Sequence, residues 1–306
     1  MTNTCDMHIH THYSDGDLSG VELLKFAKER KLKKISVTDH DCVDFYFHPE
    51  SIELLKNFDY IPGCEFVCAF ENVPIEILGY GIDLQKTKRY LEKFGVTHNK
   101  MEKYRGDRIP KLFAKQGIIL DYDPDSIDFS QKNPHVLESL FASILKNPKA
   151  VSFLNEENPN LTKSSGMFLR EGLNNPDSKI FIQSSTLYPT YEKITKKIKE
   201  LGGISFLAHP YQYRNNMVRV LQGVKDHVDG IECYHFTSKE EEQRNFLKKF
   251  CERNSLMVCG GSDFHKKKQG CEKSLLNQLG VPEEVFDTIK ETVARIHARL
   301  DQSITK

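Results

Sequence analysis

The run His8-Ile9-His10-Thr11-His12-Tyr13-Ser14-Asp15-Gly16 sets three imidazoles and a carboxylate close together near the start of the chain. His8 and His10 are two apart, so on an extended strand both side chains leave the same side. Imidazole and carboxylate donors suit zinc, manganese and iron. One His-x-His pair is equally consistent with two core histidines. The same residue types recur, however, wherever a short apolar stretch stops: at Asp39-His40-Asp41, at Glu65, at His209-Pro210, at His235, and at Asp263-Phe264-His265.

The elements that must carry these residues are legible in the pattern. Cys5 to His10 reads as a strand, followed by a helix that Ser19 caps with Glu22 three residues on. Lys34–Thr38 is a second strand and 49–57 a helix; Tyr60–Glu65 and Val73–Tyr80 complete the first half. The rhythm resumes with helix 190–201, stopped by Gly202-Gly203, then strands at Ile204–Ala208, Gly230–His235 and Met257–Cys259 and helices near 238–254 and 282–300. Strand alternating with helix predicts parallel βα units. If those units close into a barrel, the strand ends converge on one face, where sites are built. Between them, 83–189 is helix-rich, polar and without the strand signal, which predicts an inserted cap subdomain rather than a loop. The barrel would then comprise 1–82 and 190–306.

Composition excludes several classes. Lys plus Arg equals Asp plus Glu at 43 each, so no global field draws the chain to a nucleic-acid duplex or an anionic membrane. With 39% hydrophobic and 28% charged residues it reads as an ordinary soluble chain. No apolar run approaches the ~20 residues of a membrane span. The first residues are polar and carry no secretory signal. Eight cysteines scattered from Cys5 to Cys271 lack zinc or redox spacing, which suggests reduced thiols and a cytoplasmic location.

Taken together, His8-x-His10-Thr11 with Ser14-Asp15-Gly16, Thr38-Asp39-His40-Asp41, Gly63-x-Glu65, Ala208-His209-Pro210 and Gly261-Ser262-Asp263-x-His265 resemble the polymerase and histidinol phosphatase (PHP) family of phosphoesterases, in family order and across nearly the whole chain. The resemblance implies an α/β fold, a distorted (β/α)7 TIM-like barrel, holding two or three divalent metals. His8, His10, Glu65 and Asp263 would surround one metal, with Glu65 bridging to a second that His209 also binds. Asp15, His40 and His265 would hold a third. One position departs: relatives with this insertion carry histidine where this chain has Glu76, in Glu76-Ile77-Leu78-Gly79-Tyr80. A carboxylate there keeps a ligand but adds charge and a harder donor, which favours manganese or magnesium over zinc, with iron also compatible. Glu76 pointing away, with the second metal weakened, is the alternative.

The implied reaction is hydrolysis of a phosphate ester by a hydroxide bridging two metals about 3.5–4 Å apart. His235, His12 or a metal-bound water could protonate the leaving alcohol, and each histidine is equally well read as a supporting imidazole. Asp39, Asp41 and Glu232 are expected to fix histidine tautomers. Within the family the insertion resembles that of nucleoside 3',5'-bisphosphate phosphatases and short-RNA 5'-3' exonucleases, which points to a phosphorylated small molecule or short nucleotide as substrate. Arg105 and Arg108, three apart on a helix, are the candidates to hold a second phosphate, with Arg170 and Lys163 behind them. Asn133-Pro134-His135 stands where relatives show Arg-x-His, which weakens that expectation. A phosphatase for a smaller metabolite such as histidinol phosphate is the alternative enzyme, and a non-catalytic scaffold module the alternative of another class.

Overall fold

The structure, a computed structural model, describes residues 4–94, 98–128, 135–266, 276 and 281–304. Asn133 and Pro134 of the altered insertion motif lie outside these residues. The described chain is mixed α/β and divides into two units: 1–68, 75–95 and 189–306 form the first, and 69–74 with 96–188 the second. The helix at 84–94 therefore counts with the first unit, although the strand pattern ends before it.

The first unit opens on strand β1 (Cys5–Ile9), all of it buried. Cys5 and Met7 join an apolar cluster with Phe206, Phe286 and Ile289; the alternate residues Asp6, His8 and His10 leave the other side. Helix α1 (Gly20–Glu29) follows, its capping box made by Ser19 and Glu22 and its buried face by Leu23, Leu24, Phe26 and Ala27. Strand β2 (Lys34–Val37) pairs in parallel with β1 and with the two-residue β3 (Asp59–Tyr60), helix α2 (Pro49–Leu55) lying between in sequence. A second sheet runs β4 (Gly63–Phe70), β5 (Val73–Tyr80), β6 (Ile204–Leu207), β7 (Gly230–Tyr234) and β8 (Met257–Gly260), in that spatial order.

The sheets meet twice at isolated parallel bridges, His40 with Glu65 and Ile9 with Phe264. There the Asp41 amide donates to the Glu65 carbonyl (2.8 Å) and the His10 amide to the Phe264 carbonyl (2.9 Å). These bridges place His10, His40 and Glu65 side by side.

Strand–helix alternation predicts parallel pairing throughout, and β5 departs from it. β5 runs antiparallel to β6, with Ile77 opposite Leu207 and Gly79 opposite Ser205. Only Glu71 and Asn72 separate β4 from β5, too few for the crossover that parallel neighbours require. Outside the sheets lie helix α3 (Leu84–Phe94) and, beyond the second unit, α8 (Tyr191–Glu200), α9 (Met217–Val224), α10 (Glu241–Arg253) and α11 (Glu283–Ile304).

The second unit is helical: α4 (His98–Ala114), α5 (Val136–Lys146), α6 (Pro148–Glu157), the single turn α7 (Ser165–Met167) and short irregular turns. It has its own apolar core, including Phe113, Leu140, Ile144, Leu154, Phe168 and Ile180. Among the described residues no helix is long and apolar enough to cross a membrane. The seven described cysteines are all free; Cys271 lies outside the described residues.

Candidate metal centre

Four side chains, from β1 and the residue after it, from β4 and from beyond β8, meet inside the first unit. His8 Nε2 stands 3.1 Å from His10 Nε2 and 3.2 Å from Glu65 Oε2. His10 Nε2 is 3.2 Å from Glu65 Oε2 and 3.3 Å from Asp263 Oδ1, and His8 Nε2 is 3.6 Å from that Asp263 oxygen. Ligands about 2.0–2.1 Å from a tetrahedral ion sit about 3.3 Å from one another, and the His8, His10 and Glu65 edges match that spacing. All four side chains are almost wholly buried.

The tautomers point the same way. His8 Nδ1 donates to Glu232 Oε1 at 2.9 Å, which leaves its Nε2 with a lone pair. Ser14 gives its hydroxyl proton to Asp39 Oδ1 (2.6 Å), so its oxygen can accept from His10 Nδ1 at 3.4 Å. Two ring-nitrogen lone pairs thus face each other in a buried space, an arrangement that only a shared proton or a cation satisfies. A divalent metal fits this donor set.

Glu65 reaches further. While Oε2 faces the pair above, Oε1 lies 3.0 Å from His209 Nε2. Glu76 Oε2 is also 3.0 Å from His209 Nε2, so Glu76 points into the cluster. His40 Nδ1 stands 3.1 Å from Glu65 Oε2 and 4.0 Å from Glu76 Oε1. Buried His40 Nδ1 and His209 Nδ1 have no hydrogen-bond partner among the described residues. On the outer side His265 Nε2 is 3.1 Å from Asp15 Oδ2, and His40 Nε2 is 3.8 Å from Asp15 Oδ1. Among the described residues three donor groups able to hold an ion result: His8, His10 and Glu65; His40, Glu65 and Glu76; and His10, Asp15, His40 and His265. The sequence reading kept His10 and His40 to one metal each, whereas here each faces two groups.

Carboxylates and strained backbone hold the ring. Glu232 Oε2 also accepts the His209 amide at 2.7 Å. Asp39 touches no imidazole directly; it takes the Thr11 amide (2.7 Å), the Thr11 hydroxyl and the Ser14 hydroxyl, fixing the loop that carries Asp15. Asp41 accepts instead from the Val67 amide. His209 and Asp263 sit in the left-handed region, at φ 28 and 51. Backbone of that kind costs about 1–3 kcal/mol and persists where surrounding structure imposes it.

The two histidines considered as proton donors fare differently. His235 Nδ1 accepts the Thr237 amide at 3.1 Å, so its Nε2 proton is directed at Asp263 Oδ2, 3.3 Å away. His12 lies outside the three groups, its ring against Tyr13 at 4.4 Å. Three residues that the sequence reading passed over also contribute. Asp6 Oδ1 accepts the Ser262 and His8 amides (2.9 and 3.3 Å), Gln212 reaches Asp263 Oδ2 at 3.5 Å, and the Tyr213 hydroxyl accepts the Glu76 amide at 3.0 Å. Asp6 shares the two-residue period of His8 and His10, a signal that was available.

Burial pulls the pKa of His10 and His209 down, but their carboxylate neighbours outweigh it. Asp263 and Glu65 push His10 up to about 9; Glu65 and Glu76 push His209 up to about 10. Burial lifts Glu65, yet the imidazoles around it, His8 and His40 foremost, hold it well below the carboxylate range. Burial keeps His235 low, hence neutral. The cluster is an anionic cage that binds positive charge.

In the second unit Arg105 donates to Glu102 Oε1 (2.5 Å), whose other oxygen accepts the Leu137 amide at the start of α5 (2.8 Å). Arg108 lies over the Tyr104 ring at 5.0 Å.

Comparison with known proteins agrees with this chemistry. The chain is 24% identical over 269 residues to a 5'-3' exoribonuclease of Haemophilus influenzae, covering 87% of this chain and 91% of that protein. It is 22% identical over 269 residues to a 3',5'-nucleoside bisphosphate phosphatase of Chromobacterium violaceum, covering 87% and 88%. Among solved structures, a Bifidobacterium adolescentis protein described as a metal-dependent phosphoesterase superposes with a TM-score of 0.62 at 19% identity, covering 93% and 94%. An amidohydrolase from Chromobacterium violaceum, with bound sulfate and no metal, gives 0.60 at 20% identity, covering 86% and 87%. The PHP domain pattern matches residues 6–305. The chain belongs to the PHP domain family and is a metal-dependent phosphoesterase.

Proposed function

We propose that this enzyme hydrolyses a phosphate ester of a small nucleotide, a nucleoside 3',5'-bisphosphate or the end of a short oligoribonucleotide, at a centre of two or three divalent cations, manganese foremost. The observation that carries the reading is Glu65, one oxygen facing His8 and His10 and the other facing His209, so that a single carboxylate spans two donor groups. Bound cations would supply an acidified water and hold the phosphoryl oxygens of an in-line displacement. The nucleotide part of the reading is supported by the names of the exoribonuclease and bisphosphate phosphatase relatives. His8, His10, Asp15, His40, Glu65, Glu76, His209, Asp263 and His265 are the proposed ligands. His235, with its proton on Asp263, positions that carboxylate, and protonation of the leaving oxygen falls to His12 or to solvent.

The same reading joins the two sheets through the His40–Glu65 and Ile9–Phe264 bridges into one distorted seven-stranded barrel, β3 and β4 counting as one broken strand. It assigns recognition of a second phosphate to the inserted unit. There Arg105 is engaged by Glu102, while Arg108 has no carboxylate within 4 Å among the described residues, which makes Arg108 the stronger candidate. A manganese-supplemented phosphate-release screen tests the proposal with nucleoside 3',5'-bisphosphates, short oligoribonucleotides and histidinol phosphate. Release from the first two should exceed release from the third. Preference for histidinol phosphate would overturn the nucleotide assignment, and a chain inert on all three that retains no metal would return the scaffold reading.

A further inference from the structure

The donor groups of the cluster are not alike. His8, His10 and Glu65 close on one another at 3.1–3.2 Å, Asp263 Oδ1 lies 3.3–3.6 Å from the two imidazoles, and all four side chains are shielded, at most 3% exposed. The corner at Glu76 is different. His209 Nε2 meets two carboxylates there, Glu65 Oε1 and Glu76 Oε2, each at 3.0 Å. His40 is the further donor there, set 4.0 Å from Glu76 and turned through its other nitrogen toward Asp15. Glu76 is 27% exposed and His40 25%. One corner, His8, His10 and Glu65, is therefore shielded and holds two imidazoles, and the other, His40, Glu65 and Glu76 with His209 beside it, is open, solvent-reached and richer in oxygen.

Coordination chemistry separates such sites. A buried shell built on two imidazoles suits zinc-like ions and holds them tightly. Carboxylate oxygens with room for water suit manganese or magnesium, which prefer octahedral shells and keep several waters. Resting on the phosphoesterase reading above, we propose that Glu76 makes the Glu65–Glu76–His209 corner an exchangeable site selective for a hard divalent cation, Mn2+ or Mg2+, beside a closed site whose ion is retained. Free Mn2+ or Mg2+ would then set how much of the enzyme is fully loaded, and so how much turns over.

The test uses the full-length protein, dialysed against metal-free buffer without chelator. Retained metal is measured by mass spectrometry and Mn2+ rebinding by calorimetry and electron paramagnetic resonance. Wild type should keep at least one ion per chain and rebind Mn2+ in a separate, weaker phase. In Glu76→Gln the retained ion should persist, which also reports a folded cage, while the weaker phase loses affinity at least tenfold. In Glu76→His the ratio of Mn2+ to Zn2+ affinity at the weaker phase should fall at least tenfold. A single class of sites in wild type, or a Mn2+ phase untouched by Glu76→Gln, overturns the proposal. Phosphate release is read separately: two classes of site with no hydrolysis of any ester would sink the phosphoesterase reading and leave this one standing.

Discussion

A carboxylate that touches no reacting atom sets how strongly His8 can bind an ion. Glu232 is fully buried and uses both oxygens, Oε1 on His8 Nδ1 at 2.9 Å and Oε2 on the His209 amide at 2.7 Å. It fixes one imidazole tautomer and one strained backbone turn together. In Glu232→Gln the shape is kept but one oxygen becomes an NH2 donor facing another donor. Either His8 turns its lone pair away from Glu65, or the His209 amide loses its acceptor. Outer partners of this type are worth about 10–100-fold in metal affinity. Chelator competition on Glu232→Gln should show a loss in that range while circular dichroism stays native. An unchanged affinity would remove Glu232 from the support of the centre.

At the scale of elements, the strands were readable because each carries a short apolar run, and β1, β2, β6, β7 and β8 appear within a residue or two of where the pattern puts them. The candidate ligands were readable because polar side chains at the ends of buried strands need a reason to be there. Two things were hidden. The reversal of β5 depends on the brevity of the Glu71-Asn72 connection, and the double-sided use of His10 and His40 depends on the inter-sheet bridges, which have no local signal. Gly261 shows how closely those elements approach. A Cβ there would lie 2.3 Å from the His8 nitrogen and 2.5 Å from the His8 Cβ, and neither can retreat without moving β1. Gly261→Ala should cost about 3 kcal/mol of stability, at the upper end of overpacking changes. Gly117→Ala, at φ 71 with nothing within 4 Å, should cost only the left-handed penalty of about 1 kcal/mol. Denaturant titration of the two variants compares them directly; equal losses would contradict the close packing of β1 against the Gly261 turn.

For the whole molecule, the cage makes stability depend on pH in opposite senses with and without metal. In the metal-free chain the imidazoles of His10 and His209 titrate near 9 and 10, above the ~6.5 of an unfolded histidine. Their contribution is complete below pH ~6.5 and fades as pH rises through 9 to 10. Glu65 is held low by the same pairing, so its contribution is complete above an unfolded glutamate's ~4.3 and fades as pH falls. These are the two halves of one set of ion pairs, and they place the metal-free optimum between about pH 4.5 and 6.5. Cations reverse the upper limb, because the ligands must release their protons before they coordinate. Thermal melts of chelator-stripped and manganese-reloaded protein at pH 5.5, 7.0 and 8.5 should therefore diverge. The stripped protein should lose Tm steadily across that series, while the reloaded protein gains or holds it, so that the metal-induced increment is largest at pH 8.5. A stripped protein whose Tm climbs from pH 5.5 to 8.5 would show that protons do not stand in for cations in the cage, and the buried histidines would then need another source of balance for the surrounding carboxylates.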